Sequence, residues 1–235
     1  MPEVALVAAL EREISPMVRN WKASQQEYSG RSFRFFEAGE RVAVCGGIGP
    51  QAARQATEAV ISLYKPSMVV SVGFVGALDH SLRVGQIFEP RLVIDAGDGS
   101  RTDTGGGSGV LVSFSSVAGP EQKARLASSY QANAVDMEAA SVARGAEAHG
   151  LRFAAVKVVS DDASFEMPSM EPFIRRDGSF ASGRFAFHAA LRPWTWGTVF
   201  RLARNSAKAA QQLCEYLEKH EGNPTTVPVR SGSKK

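Results

Sequence analysis

Cysteine, histidine and long apolar runs are all scarce in this chain, and each shortage removes a class of protein. Its 235 residues include two cysteines, Cys45 and Cys214, with no C-x-x-C spacing and no histidine beside either. Neither a disulfide framework nor a thiolate metal site is indicated. His80, His149, His188 and His220 are scattered without ligand spacing, so no metal is expected. No stretch approaches the roughly 20 apolar residues a helix needs to cross a bilayer. The first apolar run is short and lies between Glu3 and Glu11, which does not fit a secretory leader, and a cytoplasmic location is the expectation. A net charge of only +3, with no recognised nucleic-acid module beside it, argues against nucleic acid as a partner.

What is present is an alternation of short apolar runs with helical segments, the mark of an α/β domain. Strands are predicted over Val4–Ala9, Ser32–Glu37, Arg41–Cys45, Met68–Val72, Gln86–Ile94, Val110–Ser113 and Phe153–Val159. Helices are predicted over Ser15–Trp21, Pro50–Tyr64, Pro120–Tyr130, Ala139–His149 and Gly197–His220. The Gly- and Ser-rich stretch Gly97 to Gly109 reads as a flexible surface loop. One domain spans residues 1–221, and 222–235 is too poor in apolar residues to pack and is expected to be disordered.

Two acidic motifs stand out. Leu151 to Val159 is apolar, rich in β-branched residues and ends in Ser160-Asp161-Asp162, so Asp161 falls at the carboxyl end of a strand, where open α/β sheets hold ligands. Upstream, Ala134-Val135-Asp136-Met137-Glu138 precedes an alanine-rich helix that ends at Gly150. A helix and a strand separate the two carboxylates, which allows both to face one cleft. Each also has a plainer reading: Asp161 as an N-cap, and Glu138 as a first-turn glutamate complementing the helix dipole. Lys157, inside an apolar strand, needs a partner, because lysine is almost never fully buried unpaired.

A-V-D-M-E-A-A followed by K-V-V-S-D-D resembles the signatures of the nucleoside phosphorylase superfamily, which includes purine nucleoside phosphorylases, futalosine hydrolases and methylthioadenosine/S-adenosylhomocysteine nucleosidases. Val4 to Ile14, Cys45-Gly46-Gly47-Ile48-Gly49-Pro50 and Val70 to Ala77, closing with Leu82 to Ile87, are similar in order and spacing to further motifs of the nucleosidase branch. The resemblance implies a three-layer α/β sandwich around a central mixed sheet. It also implies cleavage of the N-glycosidic bond of a purine nucleoside, adenine foremost, without metal or organic cofactor, and a homodimer.

The same resemblance assigns roles. Asp161 would protonate the purine N7, kept in its acid form by burial and a neighbouring charge such as Asp162. Glu138 would accept hydrogen bonds from ribose hydroxyls, with Met137 on the sugar face and Asp136 and Ser160 beside them. Gly73 and Phe74 belong to the turn near the nucleophile, and base recognition falls around Ser116, Val117 and Ala118. Glu13 would position an attacking water. A phosphorylase would instead need an anion site, for which Arg12, Lys157 and the Gly47 loop are the candidates, with phosphate as co-substrate. Water and phosphate both stay open. Phe74 replaces a common serine and Lys157 a usual arginine, so a catalytically inactive nucleotide-binding or membrane-docked module is the alternative.

From Gly178 to Cys214 the chain has Arg184, Arg192, Arg201, Arg204 and Lys208 but no acidic residue, interleaved with Phe185, Phe187, Trp194, Trp196 and Phe200. This segment suits either an anionic membrane interface through 184–208 or internal packing. Its G-R-F-x-x-H-x-A-L-R-P-W pattern resembles the hopanoid-associated phosphorylase-like proteins, and that resemblance implies a lipid-linked adenosine such as adenosylhopane as substrate.

Overall fold

The computed structural model describes residues 2–166, 171–175, 177–185, 192 and 195–220. Its strands are β1 (Val4–Ala8), β2 (Lys22–Tyr28), β3 (Arg31–Ala38), β4 (Arg41–Cys45), β5 (Met68–Ala77), β6 (Ile87–Phe88), β7 (Leu92–Asp95), β8 (Arg101–Asp103), β9 (Val110–Ser113), β10 (Ala134–Asp136) and β11 (Arg152–Asp161). The helices are α1 (Glu11–Val18), α2 (Pro50–Tyr64), α3 (Pro120–Tyr130), α4 (Ala139–Ala148) and α5 (Trp196–Lys219). Among the described residues all strands join one mixed sheet, ordered β2-β3-β4-β1-β5-β10-β9-β7-β8, with β11 pairing β5 and β6 on a second branch.

The period-2 alternation of side chains builds the layers. In β1, Ala5 and Val7 pack toward α2 and α4, whereas Leu6 and Ala8 pack toward α1 and α5. The central strand β5 and β11 alongside it are covered on both faces, and for this reason both read as nearly unbroken apolar runs. α3 closes a smaller cluster over β9 and β10 around Val112, Leu126 and Val135. This is the three-layer α/β sandwich with a mixed sheet that the motifs imply.

β5 is where the sheet divides. Along Met68 to Gly76 it pairs in parallel with β11, while Gly76 and Ala77 pair antiparallel with β10. Strand ends carrying Asp136 and Asp161 therefore converge on Gly76. A register shift between Val159 and Asp161 inserts one extra residue in β11 there, and such a bulge re-aims the side chains at the strand end.

Several elements differ from the sequence reading. The Gly97 to Gly109 stretch contains β8, which pairs antiparallel with β7. Arg91 with Asp103 at 2.8 Å, and Arg144 with Asp95 and Asp98, pin that hairpin, so it is not a free loop. The single strand expected over Gln86–Ile94 is two, since Pro90 interrupts it and β6 and β7 pair with different neighbours. α1 starts at Glu11 rather than Ser15, and β5 runs on through Gly73 and Gly76 instead of turning there. Phe187, Trp194 and the 222–235 tail lie outside the described residues.

Candidate active site

The loop after β1 delivers the first acid. Leu10, in extended conformation, enters α1, and Glu13 folds back so that its Oε2 accepts the Leu10 N–H at 3.3 Å. Across from it, Gly73 has φ +141°, and a Cβ there would lie 2.7 Å from Glu13 Oε2. Glycine at 73 thus makes room for the carboxylate. Burial pushes the Glu13 carboxyl up to about 6, against the opposing pull of Lys157, Arg12 and the N–H groups of Leu10 and Ala9.

β10 and the start of α4 supply two more acids. Asp136 Oδ1 accepts the Ser113 hydroxyl at 2.6 Å, and Oδ2 accepts the Ala139 N–H at 3.0 Å and pairs with Lys157 Nζ at 2.9 Å. Glu138 reaches the other way: Oε1 accepts the Gly49 N–H at 2.7 Å and Oε2 the Met137 N–H at 3.2 Å. Burial raises the Glu138 carboxyl, and the negative charge of Asp136 adds to that rise, while Lys157 and the Gly49 N–H oppose it.

At the end of β11, Asp161 is buried, with the Ser160 hydroxyl 2.7 Å from Oδ1 and Lys123 Nζ 2.5 Å from Oδ2. The charged neighbour is Lys123 and not Asp162, whose carboxylate turns out to Ser164. No helix follows directly, so the N-cap reading of Asp161 does not apply.

These groups share one cavity. Arg12, Glu13, Phe74, Val117, Ala118, Asp136, Met137, Glu138, Ser160 and Asp161 all line it, joined by Ser116, Ile48 and Lys123. Three residues singled out from the sequence do not. Gly73 backs Glu13, as above. Lys157 lies beneath the cavity, with Nζ bonded to Ser71 and Asp136, which is the partner its burial demands. Gly47 packs against the backbone of Gly178. Every amide of its loop is already donating: Gly46 to Ala8, Gly47 to Ala9, Ile48 to Gly178 and Gly49 to Glu138. Of the anion-site candidates, only Arg12 faces the cavity, its guanidinium 5.6 Å from the Phe180 ring.

The matching family model is the phosphorylase superfamily, aligned over residues 3–116 and 108–175. The chain belongs to the phosphorylase superfamily. A 5′-methylthioadenosine/S-adenosylhomocysteine nucleosidase of Bacillus licheniformis is 28% identical over 88 residues, a stretch spanning 36% of this chain and 38% of that superfamily relative. In fold, a variant of the Helicobacter pylori 5′-methylthioadenosine/S-adenosylhomocysteine nucleosidase, solved with 5′-methylthioadenosine in its active site, superposes with a TM-score of 0.66 at 17% identity, covering 93% of this chain and 99% of the other. The futalosine hydrolase of the same species gives 0.65 at 18% identity over 93% and 98%. At these identities the likeness is one of fold.

Sequence reasoning missed Lys123. It sits in P-E-Q-K-A-R-L, a polar helical segment in which a lysine reads as solvated surface. Only the docking of α3 over β9 and β10 brings it inward, within reach of Asp161 at the end of β11. Leu202 and Ser206 of α5, which also line the cavity, carried no local signal either.

Proposed function

We propose that this protein hydrolyses the N-glycosidic bond of an adenine nucleoside that carries an apolar 5′ substituent. The observation behind this is the arrangement of one acid, Asp161, facing the same cavity as a separate group of acids, Glu13 and Glu138. Breaking a bond between ribose and purine leaves an electron-poor sugar and a poorly stabilised base. Asp161 delivers a proton to the purine N7. Glu138 accepts the ribose hydroxyls, Met137 packs on the sugar, and Glu13 takes a proton from the attacking water. The loop from Ser116 to Ala118 holds the base.

Water is favoured over phosphate because the Gly46 to Gly49 amides are engaged and Lys157 is neutralised by Asp136. Neither is free to bind an oxyanion. The nucleosidase relatives and the solved structure with 5′-methylthioadenosine in its active site support the same choice. A homodimer in the cytoplasm remains part of the reading.

The 5′ side rests on a groove of about 450 Å³ that adjoins the cavity at Arg12, Phe74, Leu202 and Ser206. Pro16, Phe185, Val199 and Ala210 continue it, so an extended hydrocarbon finds apolar walls. Beyond it, Trp196 and Phe200 of α5 are 46% and 71% exposed, next to Arg201 and Arg204. A lipid-linked adenosine such as adenosylhopane, presented at a membrane surface, fits this layout.

Adenine release is measured from adenosine, methylthioadenosine, S-adenosylhomocysteine and an adenosine with a long apolar 5′ group, with futalosine as a 6-oxopurine control, each with and without phosphate. Phosphate-independent release, fastest with the long apolar group, is expected. Release only with phosphate would overturn hydrolysis, and no release at all would favour a binding module. Asp161→Asn should lower kcat by on the order of 10²–10⁴, the span of general acid catalysis, while ligand binding persists. An unchanged rate would sink the acid assignment.

A further inference from the structure

Lys123 is a buried cation that the roles above leave without a task. Of the residues of α3, only Lys123 and Leu126 are buried. Its side chain is 3% exposed, as is that of Asp161, and Nζ donates to Asp161 Oδ2 at 2.5 Å and to the Asp162 carbonyl at 2.7 Å. β5 gives way to this pair. A Cβ on Gly76 would stand 3.0 Å from Asp161 Oδ2 and 3.3 Å from Lys123 Cε. Two directed bonds from one ammonium, a strand glycine beneath it and a place in the cavity wall together exceed what helix packing requires.

The reaction needs a proton source at this point. Among the described residues, Asp161 has two side-chain neighbours within hydrogen-bond reach, the Ser160 hydroxyl on Oδ1 and Lys123 on Oδ2. Glu13 and Glu138 are bonded elsewhere, to Leu10, Gly49 and Met137. Of the two neighbours, an ammonium is a far stronger acid than an aliphatic hydroxyl, so Lys123 is the donor.

We propose that Lys123 is the positioning residue that supplies, through Asp161, the proton received by the leaving base; the proposal rests on the nucleosidase reading. As the C1′–N9 bond breaks, its electron pair goes to the purine, N7 takes a proton from Asp161, and Asp161 takes one from Nζ. One N–H bond is lost at Lys123 and one is formed at N7. Asp161 ends as a carboxylate and Lys123 as a neutral amine, which regains a proton from water after the base departs. The sugar carbon bonds to the water oxygen, and that water's proton passes to Glu13. Asp161 then needs no stored proton of its own.

A leaving group that departs without protonation separates this role from structural support. Wild type, K123M and K123R are compared on a purine nucleoside and on a 4-nitrophenyl riboside bearing the same 5′ group. On the nucleoside, kcat should fall by on the order of 10²–10³ in both variants, in the range of proton-transfer catalysis, with the riboside hardly affected. K123R keeps the charge and the donors to Asp161, but a guanidinium does not release a proton. Full nucleoside activity in K123R would reduce the lysine to charge placement and overturn the relay. So would equal losses on both substrates, or a K123M/D161N double variant slower than D161N by the full K123M factor. Should K123M fail to fold, K123R decides alone. Wild type that releases no purine would sink the nucleosidase reading, and the relay with it.

Discussion

At the residue scale the two glutamates make opposite demands on pH. In its proposed role Glu13 accepts a proton from water only as a carboxylate, and burial pushes its carboxyl up to about 6. On the acid side kcat/KM should therefore fall about tenfold per pH unit below that value, the behaviour of a single essential base. The limb should vanish in Glu13→Gln, along with most of the activity; a limb that persists there would assign it to another group. Glu138 is raised as well, by burial and Asp136. Between its ordinary value and the raised one the folded protein binds more protons than the unfolded chain, so its contribution to stability is present at low pH and is lost as pH rises. Glu138→Gln has no such loss. Its melting temperature should gain on wild type between about pH 5 and pH 9 while activity drops, and parallel melting curves would contradict the assignment.

At the element scale, Gly73 joins fold to chemistry. Gly73→Ala forces a non-glycine residue to φ +141° and drives a methyl group to 2.7 Å from Glu13 Oε2. A stability loss of about 1–3 kcal/mol, the range for strained backbone, is expected in urea unfolding, together with a fall in kcat. An unimpaired kcat would mean that Glu13 does not need that seat. The same strand shows why part of the molecule was legible and part was not. Pro50, Pro120 and the β-branched run before Ser160 are local signals, and α2, α3, β4, β9 and the end of β11 follow from them. In β5, Gly73 and Gly76 imitate a turn, but one makes room for Glu13 and the other lies at the division of the sheet, needs that arise only in three dimensions. β2 (K-A-S-Q-Q-E-Y) is a polar edge strand with little alternation to read, and β8 and β10 are three residues each. Asp161 and Glu138 were legible because a strand end and a helix start announce themselves, whereas Glu13, ahead of the helix start expected at Ser15, stood out only through the family resemblance. Lys123 was not, because its partner is 38 residues away.

At the scale of the whole molecule, the exposed end of α5 sets a test of location. Phe200 is 71% exposed and near Arg201, whose guanidinium lies 4.5 Å from the Phe165 ring. Phe200→Asp should reduce sedimentation with phosphatidylglycerol vesicles without changing the melting temperature, since an aromatic at the boundary and nearby cations act together at anionic surfaces. Equal sedimentation would leave α5 as an ordinary solvent face. The filled glycine loop has a wider consequence. With Glu138 seated on the Gly49 amide, the N-terminus of α2 is already occupied by one of the protein's own carboxyl groups. Phosphorolysis is readily reversible and preserves an activated sugar, whereas hydrolysis in water is a one-way disposal. Under the proposed hydrolysis, a cell using this protein would discard the glycosidic bond's energy, and any later use of the freed sugar would require activating it afresh.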